Sequence, residues 1–197
     1  MNYIWTDTKW IFEPDGGLRD IYIQDVEIID WEKLIDLLNS KYDLTYSGLE
    51  SPKKINKKYI IEFLKDKTGN MDCRTVTVNH ENLKFNCHFF LENEIEFDIW
   101  PDEIKSELDF GKLISFMFDI SFTLQKQITL TYENDTTLPL IKIDAKRNLL
   151  KIITEMEINH LVKHDNIILP IMEDFKRKLF QSATEIHKPT KSKENKW

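Results

Sequence analysis

Glycine is scarce in this chain of 197 residues, and its five positions, 16, 17, 48, 69 and 111, cannot be written into G-x-G-x-x-G, a P-loop or G-x-S-x-G. That removes the usual sequence markers of dinucleotide binding, of phosphate cradling and of the α/β-hydrolase nucleophile. Cysteine is nearly absent. Cys73 and Cys87 lack the C-x-x-C spacing of zinc or redox sites, so two reduced thiols in a cytoplasmic protein are the first reading, with a cross-strand disulfide left open. Long apolar runs are missing as well. The most apolar stretch, residues 113–124, is interrupted by Asp119 and is too short to span a bilayer. Residues 1–7 have no basic start followed by an apolar run, so no signal peptide is expected and the protein is read as cytoplasmic. Positive charge is in deficit, with 27 basic against 34 acidic residues and a net charge of −7. A general nucleic-acid binder needs cations to displace counterions from phosphates, so nucleic acid is not the expected partner.

The composition, 41% hydrophobic and 31% charged, is that of a globular protein with enough length to bury a core unaided. One α+β domain is expected over residues 1–184, followed by a basic tail at 185–197 too polar to order itself. The last 22 residues hold seven basic and two acidic groups, so the rest of the chain carries −7 − 5 = −12.

Periodicity predicts the elements. Asp15-Gly16 is a turn signal between two alternating stretches, which gives a β-hairpin over residues 8–26. Asp30 reads as the N-cap of a helix over 30–41, whose Trp31, Leu34, Ile35 and Leu38 form one apolar stripe. A short strand follows at 43–47. Residues 56–67 fit both periods; their length and flanking lysines favour a helix stopped by Gly69. Strands are expected at 74–78, 83–91 and 94–99, a buried helix at 110–124, strands at 127–132, 138–144 and 149–154, and a last helix at 170–184. Strands in runs joined by short turns imply an antiparallel or mixed sheet with helices packed on one face.

No constellation carries catalytic chemistry. His160 and His164 stand four apart without the glutamate of H-E-x-x-H and outside any secure helix, so they read as solvated histidines. Residues 101–105 hold the letters of a metal-dependent nuclease motif, but overlapped in one segment instead of divided between neighbouring strands. His88, alone in an apolar run, reads as a satisfied half-buried side chain. The distinctive feature is acid. Residues 91–110 contain eight carboxylates against Lys105, and a strand at 94–99 would project Glu94, Glu96 and Asp98 to one face. Alternate strand residues lie about 6–7 Å apart, so these three need ligands from elsewhere to cage a metal, and none is expected. Trp100 abuts the acidic strand, and Trp is enriched among interface anchors.

Three stretches taken together resemble the small cytoplasmic immunity proteins found beside bacterial polymorphic toxins and contact-dependent inhibition systems. They are residues 10–22 (Trp10-Ile11-Phe12-Glu13-Pro14-Asp15-Gly16-Gly17 and on to Tyr22), 87–99 and 130–134. The resemblance implies a non-enzymatic protein without cofactor that neutralises a cognate toxin domain, basic nucleases among them, by stoichiometric occlusion. The partner-binding residues expected on that basis are Glu94, Glu96, Asp98, Trp100, Asp102 and Glu103. The alternative is a non-enzymatic scaffold or homo-oligomeric module with another protein partner. Neither reading fixes the oligomeric state.

Overall fold

The computed structural model describes residues 5–46 and 54–164. The chain divides into two units, residues 1–154 and 155–197. The helix expected at 170–184 and the tail at 185–197 lie outside the described residues.

The first unit opens with a short helix, α1 (Trp5–Thr8), and a 3-10 turn (Lys9–Phe12) where the first arm of a hairpin was expected. Ile11 and Phe12 are neighbours in sequence and both are buried. A strand sends neighbours to opposite faces, so only a helical turn can bury both on one side. Phe12 packs at 6.3 Å against Trp5 and edge-on at 6.0 Å against Phe110. The Asp15-Gly16-Gly17 turn is real, with Gly16 at φ +88°, but it leads from this cap into strand β1 (Arg19–Gln24). Arg19, 1% exposed, holds the cap in place. Its guanidinium donates to the carbonyl of Ile11 at 2.7 Å and to the Asp15 carboxylate at 2.8 and 3.2 Å, and it lies 4.6 Å over the Tyr132 ring.

Helix α2 (Ile28–Lys41) starts two residues before the expected cap. Asp30 lies inside its first turn and accepts the backbone N–H of Glu27 at 3.0 Å. After β2 (Asp43–Tyr46) comes α3 (Lys57–Lys65), capped by the Asn56 side chain. Asp66, not Gly69, ends this helix. Its carboxylate accepts from the Thr68 hydroxyl and from the N–H groups of Thr68, Met71 and Asn70, which hold its pKa at about 2. Strands β3 (Val76–His80), β4 (Leu83–Leu91) and β5 (Glu94–Ile99) follow as a meander. Helix α4 (Glu107–Leu124), capped by Ser106, leads into β6 (Ile128–Tyr132), β7 (Ile141–Asp144) and β8 (Leu149–Ile152). In the second unit, α5 (Glu155–His164) sets His160 and His164 one turn apart on a helix where no element was expected.

The eight strands form one antiparallel sheet in the order β2-β3-β4-β5-β1-β6-β7-β8, so the fold is α+β. The first strand of the chain is therefore interior, between β5 and β6. One row of side chains crosses seven strands: Val76, Cys87, Phe97, Ile21, Leu130, Ile141 and Ile152, all buried. The helices pack on this face. Phe116 of α4 stacks on Phe85 at 3.9 Å and meets Phe97 edge-on, and Trp31 of α2 meets Phe89 at 5.5 Å. Cys73 and Cys87 are free thiols, and burial pushes both pKa values up. Among the described residues no helix is long and apolar enough to cross a membrane.

Candidate functional site: the polar face of the sheet

The residues between those apolar positions point away from α2, α3 and α4. Two of their rows define the site. One row runs Thr77, Asn86, Asp98, Asp20, Thr131 across β3, β4, β5, β1 and β6. The next runs His88, Glu96, Tyr22, Thr129, Lys142, Lys151 across β4, β5, β1, β6, β7 and β8. Charge divides along these rows. Strands β5 and β1 contribute Glu94, Glu96, Asp98 and Asp20; β7 and β8 contribute Lys142 and Lys151.

The acidic half is an ordered network. Asp98, 7% exposed, accepts from His88 Nε2 at 2.6 Å and from Asn86 Nδ2 at 2.7 Å. Asn86 accepts in turn from the Thr77 hydroxyl at 2.9 Å. Behind His88, Nδ1 lies 3.3 Å from the Thr75 hydroxyl, and the exposed Phe90 ring stacks on the imidazole at 4.7 Å. Hydroxyl, imidazole and carboxylate in series are also the connectivity that activates a serine nucleophile. Here the outer member is a threonine hydroxyl at the long end of hydrogen-bond range.

Across the strand pair, Asp20 sits directly opposite Asp98 and is 2% exposed. It accepts from the Tyr22 hydroxyl at 2.9 Å and from the backbone N–H of Asn134 at 2.7 Å. Burial raises its pKa, those two hydrogen bonds oppose the rise, and Asp98 and Glu133 add to it. Glu96 is half-buried between His88 and Tyr22. Burial raises its pKa, and Asp20, Glu94 and Asp98 push the same way, against the pull of His88. The site thus concentrates negative charge beyond what its own side chains neutralise.

The six residues expected from the sequence separate into two kinds. Glu94 and Glu96 lie on the polar face, and Trp100 and Asp102 are exposed where β5 ends. Trp100 borders a cleft of about 400 Å³ shared with Pro14, Gly16, Gly17, Pro101 and Asp102. Asp98 and Glu103 are committed internally. Asp98 bonds His88 and Asn86, and Glu103, its pKa raised by burial, accepts the Lys84 backbone N–H at 2.7 Å. Asp20, Tyr22 and Asn86 join the site without having been expected there. The alternation of β1 already put Asp20 and Tyr22 on one face, but nothing local shows that this face continues β5, more than seventy residues away.

A second cleft, of about 420 Å³, lies where the acidic half meets the basic one, lined by Tyr22, Gln24, Thr129, Thr137 and Lys142 among others. Among the described residues no group of three or more His, Cys, Asp or Glu side chains is placed to hold a metal ion. Comparison with protein-family models, with curated proteins and with solved structures finds no match to this chain.

Proposed function

We propose that this chain is an immunity-type inhibitor that binds a basic toxin domain and blocks it by occupying its surface. The observation that carries the reading is the placement of Glu94, Glu96, Asp98 and Asp20 together on the polar face of the neighbouring strands β5 and β1. Burial chiefly, and then the neighbouring carboxylates, raise the pKa of Glu96 and Asp20, so both forces act against the charge that this face carries. A lysine or arginine brought to it by a partner offsets that charge, and the field of the face speeds encounter. Phe90, Leu91 and Trp100, all exposed, supply apolar contact around the acid. Such a mechanism needs no cofactor and no covalent step.

The test is co-expression with the toxin domain encoded beside this chain's gene, scored as cell survival and as complex formation. The chain is expected to protect. Glu94→Lys with Glu96→Lys is expected to slow association by about tenfold or more and to weaken protection. Asp98 is left alone in this variant, because reversing it would break the His88 and Asn86 hydrogen bonds and report folding. Full protection by the double variant would overturn the surface assignment; failure of the unaltered chain to bind would overturn the function.

A further inference from the structure

Helix α4 has a second face that the core does not use. Leu108, Gly111, Ser115, Phe118 and Phe122 follow one another at spacings of 3, 4, 3 and 4, and all five are exposed. That spacing is the seam of a two-helix coiled coil. Phe118 and Phe122 stack on each other at 6.2 Å with their outer surfaces open. Gly111 stands within the helix, where glycine weakens it relative to alanine. Nothing among the described residues demands this, since a Cβ there would meet none of their atoms within 4 Å.

The seam is complementary to itself when reversed. Gly111 and Ser115 are four residues apart, as are Phe118 and Phe122, so each pair spans about 6 Å of helix. In an antiparallel pair centred between residues 116 and 117, Phe118 faces Ser115 of the second copy and Phe122 faces its Gly111. Every ring then meets a small residue. The net charge of the two ends favours the same orientation. At the N-terminal end of α4, Asp102 and Glu107 are exposed beside Lys105, while Glu81 is paired with Lys112 at 2.8 Å, which leaves this end net acidic. At the C-terminal end the turn Ala145–Arg147 is bonded to the helix through Ser121, and it exposes Lys146 and Arg147, the latter 3.5 Å from the Asp144 carboxylate, which leaves this end net basic. Antiparallel pairing sets each acidic end against a basic end; parallel pairing would set like against like.

We infer that the chain forms a two-fold homodimer through this face of α4, with Phe118 and Phe122 of each copy seated on Ser115 and Gly111 of the other. The inference is independent of the proposed toxin binding. Because α4 and the acidic rows lie on opposite sides of the sheet, each dimer would keep two acidic faces free. One helix face covers less than the roughly 800 Å² per partner of a standard interface, so the dimer is expected to be weak, with a micromolar to millimolar dissociation constant.

Sedimentation equilibrium of the full chain over that concentration range tests it. The mass is expected to rise from 23.6 kDa toward twice that value. Gly111→Leu fills the seat, and because Gly111 is exposed with room for a Cβ among the described residues it should fold, checked by circular dichroism, while its dissociation constant rises about tenfold or more. Phe122→Ser is expected to act in the same direction. A chain that stays monomeric up to about 1 mM overturns the inference. So does a folded Gly111→Leu variant that associates like the unaltered chain, which would place any dimer contact elsewhere. So would a monomer whose seam is covered only when the toxin domain is added, which would assign the seam to that partner.

Discussion

On the helix-covered side of the sheet, Cys87, Phe97 and Ile21 sit side by side on β4, β5 and β1, sealed by the Phe85–Phe116 stack. On the other side, one residue along each of the same strands, Asn86, Asp98 and Asp20 stand in the same register. The two rows share backbone, twist and spacing. They differ in what secures them. The apolar row is held by area removed from water, which is non-directional and tolerates any well-shaped neighbour. The polar row is held by directed hydrogen bonds, and it leaves charge unneutralised. The first row makes the fold; the second leaves a residual field that can act on another molecule.

Breaking the apolar side should have the largest effect. Phe116 lies between Phe85, Phe97 and Tyr42, and Phe116→Ala is expected to lower the unfolding free energy by about 3–5 kcal/mol. Glu94→Ala, on the opposite face, should change it by no more than about 0.5 kcal/mol. Denaturant midpoints for the two variants measure the contrast directly. Similar losses in both would mean that the faces do not divide the work in this way.

An intermediate effect belongs to Asp98, where the polar face is most like a core. Asp98→Ala strands His88 and Asn86 in a nearly closed site, and the expected cost is about 1–3 kcal/mol. The variant sharpens the comparison because the loss should come from orphaned hydrogen-bonding groups and not from a cavity. The double variant Asp98→Leu with His88→Leu should then recover part of the loss. Equal destabilisation in the single and double variants would remove that explanation.

The elements whose burial follows a local period were legible in the sequence. The stripe Trp31, Leu34, Ile35, Leu38 is the buried face of α2, and Ile95, Phe97, Ile99 that of β5. At Ile11 and Phe12, where both neighbours are buried and apolar, alternation misleads and a 3-10 turn replaces the strand. Caps were misplaced for a related reason: Asp30 and Gly69 are favourable residue types, but Glu27 and Asp66 occupy the positions where the backbone needs a partner. The site was half legible. The direction of Glu94, Glu96 and Asp98 follows from the pleat, whereas the neighbours that determine their chemistry come from strand order. His88 was visible as a polar residue in an apolar run, but the carboxylate that satisfies it lies across a strand pair. Long-range pairing of β1 with β5 and β6 leaves no local trace, and it is this pairing that sets Asp20 against Asp98.

The smallest expected effect is also the one in which fold and field pull in opposite directions. Glu96 holds its proton to a higher pH in the folded chain than in the unfolded one, chiefly through burial and then through Asp20. A group raised in this way favours the fold while protonated. Its contribution is complete below the ordinary carboxyl range and is lost as pH rises through its folded value. At neutral pH the ionised Glu96 therefore costs stability, and Glu96→Gln should raise the melting temperature at pH 7. The gain should shrink as the pH falls and the native side chain takes up its proton. The same substitution removes a charge that a basic partner would meet, so it should weaken binding while it strengthens the fold. Melting curves at pH 4 and pH 7, with partner affinity measured on the same protein, test both halves. A variant less stable at pH 7 would show that His88 compensates Glu96 more than burial and its carboxylate neighbours disfavour its charge. The polar face would then be part of the scaffold, with no uncompensated charge to offer a partner.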